Sequence, residues 1–328
     1  MTSFVSLGRV AGVPPSPRTV RRIPWGTATE PPDAPGLTAL TCAALFGRDA
    51  YRVGYRSTAV SLPTDGTPRL LDQRLSSAYL DTLRRALVTQ RAQQMSDRGR
   101  LLQRALHLAA WGEACVAALP TAAAATAITD PQIIDCARDV MGFLHTDAGQ
   151  NSHPDPLPWR GGLYYGARNQ HRLAIGVQTP WPDGRDGAGA APLAAAYLGR
   201  LGTPGVLVQM LAGRQIPYYA AAAMPLQEHG VACLSIGLST VAAHVVALVD
   251  TVRHVMRGIH DAGIPEAQLP YLRQSVALHA AIHSSPDPLP PPPGDSVALA
   301  DRGVPAVAVV GHLPESTLTQ LREAVHGW

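Results

Sequence analysis

Lysine is absent from this chain of 328 residues, and all 27 of its basic side chains are arginine. Without a lysine amine, Schiff-base chemistry and a lysine nucleophile are excluded. Cysteine is scarce as well. Cys42, Cys115, Cys136 and Cys233 lie far apart with no C-x-x-C spacing, which argues against a structural zinc site and a disulfide framework. Charged residues make up only 16% of the chain, the formal net charge is +3, and the arginines are spread out, so nucleic-acid binding has no support. Long apolar runs are missing too, because Arg84, Arg138, Arg253 and Arg257 interrupt the candidate helices before any could cross a bilayer. The opening MTSFVSLGRVAG has no basic start followed by an apolar core. It predicts no signal peptide, no membrane partner and a cytoplasmic location. No G-x-S-x-G, P-loop or dinucleotide fingerprint occurs.

What is present is apolar. A hydrophobic content of 46% over 328 residues suits a folded protein with room for two ordinary domains. Residues 17–27 and 50–62 read as strands, with an Ala- and Leu-rich helix between them beginning after Pro32, Pro35 and Gly36. Helices are expected over about 76–95 and 99–118, from Leu83, Leu87, Leu102 and Leu106 at helical spacing. Residues 119–128, LPTAAAATAI, read as a buried strand. A helix over about 131–144 follows, with Asp130 as its cap and Pro131 in its first turn, and then a loop over 145–162.

Further on, a strand begins at Gln170-His171, an apolar helix follows, a second helix ends at Arg214, and a strand starts at Tyr218 or Tyr219. VACLSIGL is an internal strand. A helix over 240–261 places Val241, Val245, Leu248, Val252, Val255 and Ile259 on one face. Another helix runs from Pro265 to about Ile282. The proline tract at 284–295 is a stiff spacer, and a strand over 304–310 and a helix after Pro314 close the chain.

The segment EPPDAPGLTALTCAALFG at 30–47 resembles the zinc helix of the insulinase/pitrilysin family of inverzincins, whose consensus runs G-L-A-H-F-L-E-H-x-L-F. Gly36, Leu37, Leu40, Leu45 and Phe46 keep that frame, but Ala39, Cys42 and Ala43 stand where the two His and the catalytic Glu belong. In the family's arrangement the two His share zinc while the Glu deprotonates the metal-bound water. Alanine has no lone pair, and one cysteine does not hold zinc alone. The same stretch also reads as a plain core helix.

The resemblance continues through QHRLAIGVQTPWPDGRDGAGAAPLAAAYLGRL and GVLVQMLAGRQIPYYAAAAM, the latter matching the family's L-R-E-x-x-G-L-A-Y turn. It implies an α+β fold of two related domains, each a mainly antiparallel sheet packed with helices. The first, truncated, would span 1–118 and the second 119–328. It further implies a non-catalytic subunit with no cofactor of its own. A zinc-bearing insulinase-family subunit would be its partner, and short or unfolded peptides its substrate.

Within that family the Arg and Tyr of the second domain hold the substrate backbone or the transition-state oxygen, so Arg214 with Tyr218 or Tyr219 is the expected substrate-binding pair. The plain alternative is Arg214 ending a helix and both tyrosines packing in a strand. Glu113 sits near the place of the family's third zinc ligand but lacks His partners. His279 and His283 have the i, i+4 spacing of metal ligands without an acid between them. Cys42 has no local base to activate it. A scaffold or peptide-binding protein with no protease partner is the competing function.

Overall fold

The computed structural model describes residues 18–47, 50–53, 58–63, 75–112, 119–145, 158–180, 190–199, 205–228, 231–283 and 304–328. The chain forms two compact units, Met1–Val88 with Ala118–Ser152, and Thr89–Ala117 with His153–Trp328. Where the sequence suggested one division after residue 118, the chain passes between units after residues 88, 117 and 152.

In the first unit, β1 (Arg18–Ile23) and β2 (Tyr51–Val53) both pair antiparallel with β3 (Thr58–Pro63), giving the order β1-β3-β2. The single strand expected over 50–62 is therefore two strands, paired through Tyr51 and Val60. Helix α1 (Leu37–Phe46) is followed by α2 (Ser77–Ser96), which begins in this unit and continues into the second.

Residues 119–128 are not a strand. Ala122–Ala127 form the short helix α4, and the Thr121 side chain accepts from the Ala124 N–H at 3.1 Å. A threonine cap followed by a run of alanine, the best helix former, outweighs the apolar character that suggested a strand. Helix α5 (Asp130–His145) is also capped differently from expectation. The Gln132 amide oxygen accepts from the Thr129 N–H at 2.8 Å, while Asp130 accepts from Arg84 at 2.6 Å.

Every residue of α1 from Leu37 to Leu45 is buried. On one side Ala39, Leu40 and Ala43 pack with Leu80, Leu83 and Leu87 of α2 and with Ile128 and Ile133. On the other, Cys42 and Leu45 meet Ile23, Val60 and Leu62 of the sheet and Ala137, Val140, Met141 and Leu144 of α5. Burying a full Leu or Ile side chain contributes about 1.5–3 kcal/mol, so a helix enclosed on both sides is a principal source of this unit's stability.

The second unit holds a five-stranded sheet in the order β4-β8-β5-β7-β6. Its strands are β4 (Gly162–Ala167), β5 (Arg172–Pro180), β6 (Ala220–Glu228), β7 (Val231–Val241) and β8 (Ala306–Gly311). Only the β4–β8 pair is parallel. Strand β4 starts where a loop was expected, and Val241 ends β7 instead of opening the following helix.

Alternation along the strands serves two faces. Leu173, Ile175 and Val177 of β5 and Val307 and Val309 of β8 join the large core with α6 (Ala190–Leu198), α7 (Val206–Gly213), α8 (Val245–Ala262), α9 (Leu269–His283) and α10 (Glu315–His326). Ala174, Ala308 and Val310 face Ala105 and Leu106 of α3 (Arg98–Trp111). A Cβ on Gly176 would lie 2.6 Å from Leu106 Cδ1, so this glycine lets α3 approach the sheet. Helix α3 stops at Trp111, short of the expected 118, because Gly112 turns the chain at φ 85°.

The mixed α+β fold with helices packed on its sheet is the class expected from the sequence. The proline tract at 284–295 lies outside the described residues. No helix among the described residues is long and apolar enough to cross a membrane.

Candidate functional site

Three positions on α1 decide whether this helix can do zinc chemistry. Ala39 is 3% exposed, and Cys42 and Ala43 are fully buried. Two of the three carry no donor atom. Burial, then the neighbouring Cys136 and Glu30, push the Cys42 thiol far above its ordinary range, so it stays protonated and poorly nucleophilic. These residues do not fit a zinc ion, and no catalytic step is derived through one. Among the described residues no group of three or more His, Cys, Asp or Glu side chains is placed to hold a metal. Glu113 lies outside the described residues, and of His279 and His283 only the backbone, in α9, is described.

Glu30, the acidic residue that opens this segment, has a structural task. Its carboxylate accepts from the Gly36 N–H at 2.7 Å and the Thr38 N–H at 2.9 Å, closing the N-terminus of α1. Burial raises its pKa, and the two backbone bonds partly offset that rise. Gly36 stands at φ 94°, and a Cβ there would lie 2.7 Å from Pro120 Cβ. Acid and glycine together fix how the chain enters the buried helix.

Arg214 ends α7, with its N–H donating to the Met210 carbonyl at 3.1 Å. Gln215 follows at φ 55°, the one non-glycine residue with positive φ among those described. Its N–H reaches the Ala212 carbonyl and the Ile216 N–H the Leu211 carbonyl, a Schellman turn with glutamine where glycine is usual. Ile216 and Leu211 are both in the core, which holds the turn closed.

The Arg214 guanidinium donates to Thr251 Oγ1 at 3.3 Å, and no hydrogen bond or ring contact ties it to either tyrosine. Tyr218 is half-buried and packs on the core. Tyr219 is 60% exposed, and the arginine over its ring is Arg172, with Cζ 4.4 Å from the centroid. Arg214 thus has its direct side-chain bond to Thr251, and Tyr219 stacks with the first residue of β5.

Ser239 anchors that pair. Its hydroxyl accepts from Arg172 Nε at 3.0 Å and donates to the Leu173 carbonyl at 2.8 Å, and its own carbonyl accepts from the Tyr219 N–H at 2.7 Å. Arg98 Nη2 donates to the Arg172 carbonyl. Partial burial and, second, the Arg172 charge lower the Arg98 pKa. Sequence reasoning missed Arg98 and Arg172, because no local spacing signals a contact between residues 74 positions apart.

The outer strand β6 begins beside this cluster. Along it the Ala223 N–H turns away from β7 to the Gly199 carbonyl at 2.8 Å. Pro225, two residues on and so also directed outward, has no N–H to offer. The middle of this edge is closed to an added strand.

No family model matches the chain, and no curated protein does either. Solved structures match in fold. The inactive domain of a peptidase M16 from Pseudomonas fluorescens aligns with TM-score 0.57 at 12% identity, over 90% of this chain and 92% of that one. A protease from Helicobacter pylori aligns with TM-score 0.55 at 12% identity, over 81% and 80% of the two chains. A chain of complex III2 from Candida albicans, solved with Inz-5 bound, aligns with TM-score 0.59 at 12% identity, over 81% and 76%. The chain thus has a peptidase M16-like fold, shared with an inactive peptidase domain.

Proposed function

We propose that this chain is the non-catalytic, substrate-binding subunit of a heteromeric insulinase-type zinc metallopeptidase that acts on short or unfolded peptides in the cytoplasm. The observation that carries this reading is the burial of Ala39, Cys42 and Ala43 inside a fold shared with an inactive peptidase M16 domain. A helix with no donors at the two His positions and a protonated thiol at the Glu position cannot activate water. On this reading both compact units are insulinase-like domains and the zinc belongs to a partner subunit. This chain contributes Tyr219, with Arg214 or Arg172, to hold the peptide; maturation of a peptide precursor is a setting that fits.

The test is reconstitution with a zinc peptidase that carries an intact H-x-x-E-H. Both subunits together should cleave an unfolded peptide, and zinc should track with the partner alone. Tyr219→Ala should lower kcat/KM about tenfold while the subunits still assemble. Stoichiometric zinc in this chain by itself, with proteolysis, would contradict the proposal.

A second reading, that this chain is a scaffold or peptide-binding protein with no protease partner, has its own support in the likeness to a chain of complex III2. It predicts peptide binding or assembly that no zinc peptidase enhances.

A further inference from the structure

We infer that Arg98, Arg172 and Tyr219 form a carboxylate-binding site at the end of the five-stranded sheet where β5 and β6 begin. Three separate chain segments converge there: the first residue of α3, the first residue of β5, and the residue before β6. The contacts that hold them are all to neutral groups. Arg98 donates to the Arg172 carbonyl, Arg172 Nε donates to Ser239 Oγ, and Tyr219 supplies its ring face.

The Arg98 guanidinium reaches the Arg172 main chain and feels the Arg172 charge, and neither arginine has a carboxylate partner among the described residues. Four arginines elsewhere are paired with acids: Arg84 with Asp81 and Asp130, Arg138 with Asp135, Arg253 with Asp250, and Arg322 with Glu315. The acid adjacent to Arg98 in sequence is committed elsewhere, since Asp97 accepts from the Arg100 N–H at 2.8 Å to cap α3. Like charges held together cost free energy until an anion joins them. A guanidinium pinned by stacking and by its Nε keeps its Nη edge for a bidentate ligand, at reduced entropic cost.

Arg172 and Tyr219 are exposed, so the ligand approaches from solvent. The start of β6 lies beside them, with Ala220 exposed and Ala221 half-buried. An acidic side chain or the terminal carboxylate of an extended peptide fits that position. That the carboxylate arrives on a peptide rests on the peptide-binding reading above, whereas the anion site rests on the arginines themselves.

The experiment uses the full chain. A fluorescein-labelled acidic peptide and its Asn/Gln counterpart are titrated by anisotropy at low and high salt, and citrate and inorganic phosphate are compared by thermal shift. Arg98→Gln, Arg172→Gln and Tyr219→Phe are tested beside Arg322→Gln as a control on a distant helix, with circular dichroism checking the fold of each. The acidic peptide should bind about tenfold more tightly than the neutral one, and each of Arg98→Gln and Arg172→Gln should remove most of that preference while Arg322→Gln keeps it. If citrate stabilises the wild type but not Arg98→Gln, and neither peptide binds, the carboxylate site stands and the peptide reading falls. If both peptides bind equally and the arginine variants change nothing, the peptide reading stands and this site is overturned. Stabilisation by phosphate without any by carboxylates overturns it as well.

Discussion

The two regions that carry this account treat polar chemistry in opposite ways. Helix α1 is enclosed on both sides, and where the insulinase-like frame would put metal ligands it presents alanine and a protonated thiol to the core. The end of the five-stranded sheet gathers two arginines and a tyrosine at the surface, held by a buried serine and stacking. One region supplies stability, and the other has little to lose by being polar. The chain keeps a peptidase M16-like fold while α1 is enclosed in the core and the Arg172–Tyr219 stack stays at the surface.

The strongest way to break that contrast is to rebuild the motif on α1. Ala39→His, Cys42→Glu and Ala43→His together place three polar groups where exposure is 0–3%. At about 2–5 kcal/mol for each unpaired buried group, this exceeds what a typical domain can lose. Thermal melting should show loss of the cooperative transition and no zinc uptake. A stable variant with stoichiometric zinc would mean that the helix faces a chamber.

Next in size is Gly36→Ala, which forces a Cβ to 2.7 Å from Pro120 at φ 94°. A loss of about 2 kcal/mol or more is expected in denaturant unfolding.

Glu30→Ala removes the two-bond cap of α1 at about 1–2 kcal/mol. The sign of its pH dependence follows from its raised pKa. The folded state holds a proton that the unfolded state has released, so this contribution is full below the unfolded value and lost as pH rises through the folded one. The stability gap between wild type and Glu30→Ala should therefore narrow as pH rises through that window.

Gln215→Gly relieves a left-handed residue at the end of α7 and should stabilise by about 0.5–1 kcal/mol. Smallest of all, Arg172→Gln should shift stability by about 1 kcal/mol or less, because it gives up one stacked contact and one hydrogen bond to Ser239 on an exposed side chain. Together these would sharpen the contrast between a helix that holds the fold and a sheet end that contributes to it only slightly.

Much of this architecture was legible in the residues. Helix α8 shows its buried face directly, with Val245, Leu248, Val252, Val255 and Ile259 at helical spacing. The α+β class was implied by the resemblance to the insulinase/pitrilysin family. The alanine run at 122–127 misled because its apolar character was read as a buried strand, although alanine's helix propensity and the Thr121 cap both favour a helix. The one strand expected over 50–62 is two strands, Tyr51–Val53 and Thr58–Pro63, and Gly54 is the sequence signal that the alternating pattern outweighed.

For the site, local motif reading named the positions on α1 and Arg214 with Tyr218 or Tyr219, which lie close together in the chain, but not Arg172. Arg172 reaches the Tyr219 ring through the β5–β7 register, which sets it opposite Val241 and near Ser239. Pairing across a sheet depends on register between distant segments, and a single sequence does not state it.

The most direct test of the central claim is to incubate the purified full chain, with and without added zinc, with a labelled unfolded acidic peptide, following anisotropy and fragment formation together. The account predicts saturable binding with no cleavage under either condition; zinc-dependent cleavage by this chain alone, abolished by a chelator, would contradict it.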